Sequence, residues 1–269
     1  LTFGLEVVLA NDSEAKNITD LTKLIHNEKP DALTFTTPSR LREYLENEHF
    51  NKELSSFKYF AIGGEMVPQD LIAYVLENSE ADVYNIYGPT ETTVISNSYR
   101  ITDPNELTVG NALYNYVTDV RDIDGKILPS GVMGELYIGG YGVAGGYYKL
   151  DDKTKEAFLE IDGIPYYRSG DYAIKLPNDE ILIKGRVDNQ IKLRGLRIEI
   201  GEIESNISDY PNIKDNIVVI KIINNIDHLC AYFTTENEID INDLKEYLKG
   251  RLTKYMVPTV FMQMDAMPK

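Results

Sequence analysis

Cysteine, histidine and basic residues are scarce in this chain of 269 residues. The single cysteine, Cys230, lies in the apolar run 229–233 and is expected to be a buried core residue rather than a nucleophile. One cysteine excludes a disulfide framework and a thiolate zinc site within the chain. The three histidines are scattered and none is near a serine or cysteine motif. This disfavours a histidine-activated nucleophile and a histidine-rich metal site.

Positive charge is also in short supply. The 27 lysines and arginines are outnumbered by 43 aspartates and glutamates, for a formal net charge of -16. Such a chain lacks the basic field that attracts nucleic acid or anionic membranes, so neither partner is expected. No apolar run approaches transmembrane length. Residues 1–10 lack a basic start and are predicted to be a strand rather than a signal peptide. We expect a cytoplasmic protein and, since the first residue is not methionine, one that starts inside a larger polypeptide.

Helical and β patterns alternate over the first third of the chain. This alternation predicts an α/β fold with a parallel sheet and helices packed on it. Two of the helices are expected to open with proline, which suits the first turn. By hydrophobic periodicity, the predicted helices are 17–27, 38–47 and 68–77, and the predicted strands are 32–36, 59–62 and 82–86.

The pattern changes after about residue 100. Short β runs with turns at Asp124-Gly125 and Pro177-Asn178-Asp179 predict a mostly antiparallel, β-rich subdomain. From about Asp188 the pattern is that of a small α+β domain. We therefore expect two domains, 1–187 and 188–269. In the second, the predicted strands are 191–194, 216–223 and 229–234, and the predicted helices are 201–208 and 240–255.

The segment 85–93, N-I-Y-G-P-T-E-T-T, combines features that a nucleotide site needs. Tyr87 can stack on a base, Thr90 can hydrogen-bond a phosphate and Glu91 can hold Mg²⁺. The alternative is a solvated turn after a buried strand. A second glycine turn, 63–65, ends the neighbouring predicted strand. Ligands bind at the carboxyl ends of parallel strands, so the two turns together favour a site there.

A third glycine-rich segment has the spacing of a dinucleotide fingerprint. Gly140, Gly142 and Gly145 match G-x-G-x-x-G after a predicted strand. The fingerprint must open a helix whose N-terminus takes the pyrophosphate, and no helix is plausible here before Asp152. We predict a glycine-rich loop connecting strands instead.

Two further clusters carry charge. In 167–171, Y-R-S-G-D, Asp171 follows a tight turn and is either an acceptor for ribose hydroxyls or a turn cap. Residues 185–199 place charges of both signs around a short strand and turn. They are either a solvated face or a hinge with a mobile active-site hairpin. Their position at the predicted domain junction favours the hinge.

Together with 134–140, Gly146-Tyr147 and 255–258, these segments resemble the amino-acid adenylation domains of nonribosomal peptide synthetases, which are adenylate-forming, AMP-binding enzymes. The resemblance covers essentially the whole chain. It implies that residues 1–187 are the latter part of a large N-terminal domain and that 188–269 form a small mobile domain. It also implies ATP-dependent formation of an aminoacyl-adenylate with Mg²⁺, and transfer to the phosphopantetheine thiol of a peptidyl carrier domain.

The same resemblance implies a role for individual residues. The catalytic residues would be Thr90, Glu91 and Lys192, with Glu91 as metal ligand and Asp188 as hinge. The nucleotide-binding residues would be Gly63, Gly64, Glu65, Asn85, Tyr87, Gly88, Thr90, Asp171 and Arg186. The amino-acid pocket would be lined by Phe35, Ala61, Gly63, Ile86, Val94 and Ile95. Because these pocket residues are apolar or small, we expect a neutral, apolar substrate side chain.

The sequence also departs from the family pattern. Ser169 stands where threonine is usual and Gly145 where arginine is usual. The family's upstream phosphate loop, its ammonium-binding aspartate and its catalytic lysine segment are not in this sequence, and Lys269 is not that lysine. We therefore expect an incomplete adenylation domain, inactive alone, whose missing N-terminal part is a partner. The alternatives are an acyl-CoA or aryl-acid ligase of the same superfamily, and a non-catalytic nucleotide-binding remnant.

Overall fold

The computed structural model describes residues 4–188, 190–193, 196–223, 226–235, 237 and 239–267. The chain divides into two compact units, Leu1–Val187 and Asp188–Lys269. Each has its own buried apolar core.

The first unit begins with a five-stranded sheet in the order β1-β2-β3-β4-β5. The first three strands are parallel, as the alternating pattern predicted. The last two are antiparallel additions that the sequence did not predict. The strands are β1 Ala32–Thr36, β2 Tyr59–Gly63, β3 Asp82–Tyr87, β4 Asn97–Ile101 and β5 Asn111–Ala112.

Helices pack against this sheet through a core that includes the fully buried Phe50, Phe60 and Ile72. Asn17 caps the N-terminus of α2 with its side chain, and Pro38 opens α3 at a position where its missing N–H is no loss. The predicted helices are present, and the short helices α1 and α4 are additions. The helices in this part of the chain are α1 Asp12–Lys16, α2 Ile18–Glu28, α3 Pro38–Leu45, α4 Glu48–Glu53 and α5 Gln69–Asn78, and α1 has no buried residue.

The second sheet of this unit is antiparallel, in the order β10-β9-β7-β6 with β8 paired to β9. It is the β-rich part that the sequence predicted, with tight turns at 122–125 and 176–179. The glycine-rich loop does not open a helix directly, because α6 begins only at Asp151. The elements are β6 Tyr116–Arg121, β7 Met133–Gly140, α6 Asp151–Ala157, β8 Phe158–Ile161, β9 Ile164–Lys175 and β10 Ile181–Arg186.

An irregularity in this sheet shapes its central strand. The register between β7 and β9 shifts between Glu135 and Tyr137, so that three β9 residues, 169–171, lie opposite Leu136 alone. A second shift, on β10, falls between Ile183 and Gly185. Bulges of this kind redirect side chains and are frequent beside functional sites.

The second unit is a small α+β body, as predicted. A two-stranded hairpin, β11-β12, is separate from a three-stranded sheet in the order β13-β14-β15, and both helices contribute to its core. Cys230 is buried within β14. The elements are β11 Gln190–Leu193, β12 Leu196–Glu199, α7 Ile200–Ser208, β13 Ile213–Ile223, β14 Ile226–Thr235, α8 Ile241–Lys249 and β15 Val260–Met264.

Two predicted elements differ from the structure. The strand predicted for residues 1–10 is absent over 4–10, where the backbone pairs with no strand. An apolar segment needs a neighbouring strand to become one. The helix predicted for 240–255 ends at Lys249, and a separate 3₁₀ turn forms at Lys254–Met256. Gly250, at the C-cap, is a poor helix former and favours this early stop.

Candidate nucleotide site

Tyr87 lies at the carboxyl end of β3, immediately before the Gly88 turn. Its side chain is buried, and its hydroxyl donates a hydrogen bond to Oδ2 of Asp171 on β9. Burial, followed by the neighbouring Asp171 carboxylate, raises the pKa of Tyr87 well above its usual value, because a phenolate here would be desolvated beside a negative charge. Tyr87 is therefore a neutral donor over the physiological pH range.

Arg186 approaches the same carboxylate from β10. Its Nη1 donates to Asp171 Oδ1 at 3.1 Å and to the Ser169 carbonyl at 2.7 Å. Ser169 Oγ donates to Leu136 O at 2.8 Å and accepts from the Asp171 N–H at 3.0 Å, so this serine fixes the bulge. An ionised carboxylate can accept about four hydrogen bonds, which leaves Asp171 capacity for a ligand hydroxyl.

Glu91 is the second buried carboxylate, and two tyrosine hydroxyls hold it. Its Oε1 accepts from Tyr147 at 2.7 Å and from Tyr167 at 3.1 Å. The Phe158 ring packs on both tyrosine rings, with centroids 5.2 Å apart in each pair. Burial, then Tyr167 and Glu91, raise the pKa of Tyr147, so it also stays a neutral donor.

Sequence reasoning assigned no site role to Tyr147 or Tyr167. Both were present in the motifs that carry the family resemblance, Tyr147 directly after Gly146 and Tyr167 at the start of 167–171. Their contact with Glu91 spans 56 and 76 residues of sequence, so only the fold shows it.

The turn after Glu91 has an unusual backbone. Thr93 and Val94 are β-branched, yet their φ angles are 56° and 75°. The N–H of Ile95 donates to Thr93 O at 2.9 Å, which closes a γ-turn around Val94. Left-handed conformations are rare for β-branched residues, and a γ-turn of this hand is strained. Such strain persists where the surrounding structure enforces it.

The 63–65 turn lies beside β3, and its residues are held by protein contacts. Gly63 has no room for a side chain, because a Cβ there would lie 2.1 Å from Ile86 O. Glu65 accepts from the Ser39 N–H at 3.1 Å and the Ser39 hydroxyl at 2.9 Å, at the N-terminus of α3, where a negative charge is favourable. Their nucleotide roles stay predictions.

Asn85 and Thr90 contrast in exposure. Asn85 is buried, and its Nδ2 donates to Thr108 O at 2.7 Å, so its amide nitrogen is already engaged inside the protein. Thr90 is exposed at the surface of the turn. Thr90 is therefore accessible from solvent, and both its contact with a phosphate and a contact of Asn85 with a base stay predictions.

The predicted substrate-pocket residues gather at the ends of β2 and β3. Gly63 faces Ile86 across the parallel pair. A Cβ on Gly88 would lie 2.7 Å from Val94 O and 2.9 Å from Ile95 Cα, so the strained turn folds back against β3. Ala61 lies on the same strand as Gly63, and the Phe35 side chain lies outside the described part of the chain.

Two predicted residues belong to the second unit. Asp188 is its first residue and accepts from the Gln190 N–H at 3.1 Å. Lys192 pairs with Arg197 in the β11-β12 hairpin, but its side chain is outside the described residues. A cleft of about 390 Å³ in this unit is lined by Leu193, Lys254 and Val257 among others.

The oxygen ligands available at and beside Glu91 suit Mg²⁺ that binds together with a phosphate. No group of three or more metal-ligating side chains occurs among the described residues. Mg²⁺ at nucleotide sites is commonly held by one or two carboxylates, with substrate phosphates and water completing its shell. One carboxylate at Glu91 beside the exposed Thr90 hydroxyl fits that mode.

The chain is an α/β protein with glycine turns at the carboxyl ends of parallel strands, which is where such folds commonly bind ligands. Residues 1–148 match the family model described as AMP-binding enzyme. The chain therefore belongs to the AMP-binding enzyme family, and the family predicted from its motifs is confirmed. Gramicidin S synthase 2 of Aneurinibacillus migulanus is 36% identical over 271 residues, which is 98% of this chain and 6% of that synthase.

Solved structures give the same family and confirm the predicted fold class. An artificially fused adenylation–PCP di-domain of a nonribosomal peptide synthetase from Klebsiella oxytoca matches with a TM-score of 0.76 and 26% identity, over 91% of this chain and 50% of that one. A four-domain nonribosomal peptide synthetase bound to AMP and glycine matches with a TM-score of 0.62 and 32% identity, over 96% of this chain and 20% of that one. This chain thus spans half or less of each relative.

The structure also bears on membrane association. Within the ranges it describes, no helix is both long enough and apolar enough to cross a bilayer.

Proposed function

We propose that the protein containing this chain activates an amino acid with ATP and loads it onto a carrier domain. The substrate carboxylate attacks the α-phosphorus of ATP, forming the aminoacyl-adenylate and releasing pyrophosphate. The phosphopantetheine thiol of a peptidyl carrier domain then attacks the acyl carbon, and AMP leaves. The observation that carries the proposal is the Tyr87–Asp171–Arg186 group beside the Glu91 turn, at the carboxyl end of β3.

The nucleotide would be held by this group. Asp171 would accept the ribose hydroxyls, with its position fixed by Arg186 and Tyr87. The Tyr87 ring would stack on adenine, and the Gly63-Gly64-Glu65 turn would lie along the base. Thr90 would bind phosphate. The similar four-domain synthetase is bound to AMP and glycine, which supports a nucleotide and an amino acid as ligands of this fold.

Mg²⁺ would supply charge neutralisation for the phosphates. Glu91 would hold it, and the two tyrosine hydroxyls that bind this carboxylate would fix its orientation. The Phe158, Tyr147 and Tyr167 rings, of which Tyr167 is buried and the other two are partly buried, would restrict water on the far side of the carboxylate.

The substrate would be an amino acid with a neutral, apolar side chain, because the predicted pocket contains no charged residue. The two units would be the latter part of the large adenylation domain and its small mobile domain. Asp188 would be the hinge between them, and Lys192 would act in thioester formation. The similar di-domain joins an adenylation domain to a PCP domain, which supports a carrier partner.

The test is ATP–pyrophosphate exchange by the full-length protein against a panel of amino acids. We expect exchange with neutral, apolar amino acids and background rates with aspartate or lysine. Exchange supported only by aryl or fatty acids would contradict the proposal and favour the ligase alternative. If no carboxylate of any class supports exchange, the non-catalytic alternative is favoured.

A further inference from the structure

The strained turn that carries Glu91 is held from one side by the loop 140–144. The Ala144 N–H donates to Glu91 O at 2.8 Å. Thr93 Oγ1 donates to Gly142 O at 2.7 Å. The loop that resembles a dinucleotide fingerprint in sequence thus contacts the backbone of the candidate metal and phosphate turn.

Tyr116, at the start of β6, makes the third contact. Its hydroxyl donates to Thr92 O at 2.7 Å. Its ring lies under the loop, since a Cβ on Gly142 would be 1.7 Å from the Tyr116 hydroxyl oxygen. Tyr116 also pairs with Gly140 in the β6-β7 ladder. One side chain therefore connects the antiparallel sheet, the loop and the strained turn.

These contacts explain how the turn keeps its backbone conformation. Two adjacent β-branched residues, Thr93 and Val94, have positive φ angles, a backbone conformation that is strained for such side chains. Three hydrogen bonds stabilise this segment directly. Tyr116 donates to Thr92 O, Thr93 donates to Gly142 O, and the Ala144 N–H donates to Glu91 O. A relaxed turn would reorient Thr90 and Glu91, which precede it by two or three residues.

We propose that Tyr116 and the loop 140–144 are positioning elements for Glu91, with Tyr116 as the principal positioning residue. The inference rests on the proposed function, because it assigns Glu91 to Mg²⁺. Tyr116 acts through the Thr92 carbonyl and touches no ligand in this assignment. Its effect therefore reaches the metal only through the geometry of the turn.

The first experiment needs no activity. Hydrogen exchange of the amides 92–95, whose N–H groups bond within the turn, is compared among wild type, Tyr116→Phe and Thr93→Val in the full-length protein without ligands. Each variant removes one hydroxyl. A hydrogen bond contributes about 1 kcal/mol, so we expect about fivefold faster exchange at 92–95. Tyr114→Phe is the matched control, because the Tyr114 side chain is 97% exposed.

The second experiment measures the Mg²⁺ dependence of ATP–pyrophosphate exchange in the same variants. We expect the Mg²⁺ concentration at half-maximal rate to rise about fivefold in Tyr116→Phe and to be unchanged in Tyr114→Phe. A lower rate with unchanged Mg²⁺ dependence would overturn the inference, because a purely structural defect removes active protein without changing metal affinity.

The two experiments separate this inference from the proposed function. If no amino acid supports pyrophosphate exchange by the wild type, the proposed function fails. Hydrogen exchange at 92–95 still tests the positioning role in that case. If those amides exchange in Tyr116→Phe as in Tyr114→Phe, the positioning role is refuted whatever the activity. Should circular dichroism show that Tyr116→Phe does not fold, Thr93→Val tests the contribution of the loop 140–144 by the same two measurements.

Discussion

Tyr147→Phe removes one hydroxyl from the Glu91 carboxylate and keeps the aromatic ring. The variant loses the 2.7 Å hydrogen bond to Oε1, while the 3.1 Å bond from Tyr167 remains. The edge-to-face contact with Phe158 needs only the ring and is retained. The variant also loses the 3.5 Å contact between the Tyr147 and Tyr167 hydroxyls, so the perturbation is confined to one hydroxyl beside a buried carboxylate.

The magnitude follows from the charge of the acceptor. Hydrogen bonds to charged groups contribute about 1.5–3 kcal/mol, roughly twice a neutral pair. The Tyr167 hydroxyl lies 3.5 Å from that of Tyr147 and can compensate in part by moving closer to Glu91. We expect Tyr147→Phe to lower the free energy of unfolding by ~2 kcal/mol near neutral pH. Urea denaturation, monitored by circular dichroism, measures this change.

The pH dependence gives a second signature. The pKa of Tyr147 is raised in the folded state, by burial first and then by Tyr167 and Glu91. Above a pH of about 10 the unfolded chain loses this proton while the folded chain keeps it. The Tyr147 contribution to stability is therefore complete below pH 10 and decreases as pH rises further. Tyr147→Phe should flatten the alkaline decline in stability by up to ~1.4 kcal/mol per pH unit.

Tyr148→Phe provides the matched control. Tyr148 is next to Tyr147 in the sequence, but its side chain is 86% exposed and contacts Lys149 through the ring. It should change neither quantity. The Tyr147 hydroxyl does not stabilise Glu91 if Tyr147→Phe lowers the free energy of unfolding by no more than Tyr148→Phe does, or if both variants retain the wild-type alkaline slope.

Two further substitutions test the site and the loop. Asp171→Asn keeps the side-chain shape but removes the charge opposite Arg186, and it should destabilise the protein by ~3 kcal/mol and weaken ATP binding in calorimetry. Asp179→Asn should do neither, because the Asp179 side chain is 76% exposed in its ion pair with Lys175, and equal effects would contradict the assignment. Gly142→Ala forces a Cβ to within 1.7 Å of the Tyr116 hydroxyl and should cost ~1–3 kcal/mol in urea denaturation. Gly145→Ala meets nothing within 4 Å, so a similar loss there would argue against steric crowding.

Local chemistry explains which parts of the fold could be predicted. Proline at the start of α3 and the alternation of apolar segments are local signals, and they placed β1, β2 and β3 within a residue of their observed ends. The antiparallel strands β4 and β5 have no comparable pattern, because pairing with β3 rather than sequence periodicity decides their conformation. The segment 4–10 shows the converse, since apolar sequence alone does not form a strand.

The site divides in the same way. Tyr87 and Asp171 were predicted as site residues from separate motifs, and the structure joins them by a hydrogen bond across 84 residues of sequence. Tyr147 and Tyr116 were not predicted as site residues, since their partners are a distant carboxylate and a distant carbonyl. Such contacts join a loop or a strand to the turn 90–92, and they depend on how these segments pack in three dimensions, which a single sequence does not specify.

The backbone of Val94 limits how this protein can be redesigned. Its φ of 75° suits glycine or asparagine better than most side chains, although the position is 57% exposed and open to larger ones. If Val94 faces the substrate, a replacement must satisfy the pocket and this conformation together. Libraries that vary Val94 alone would therefore sample altered turn geometries as well as altered pocket shapes. Varying Ile95 while keeping Val94 separates the two effects.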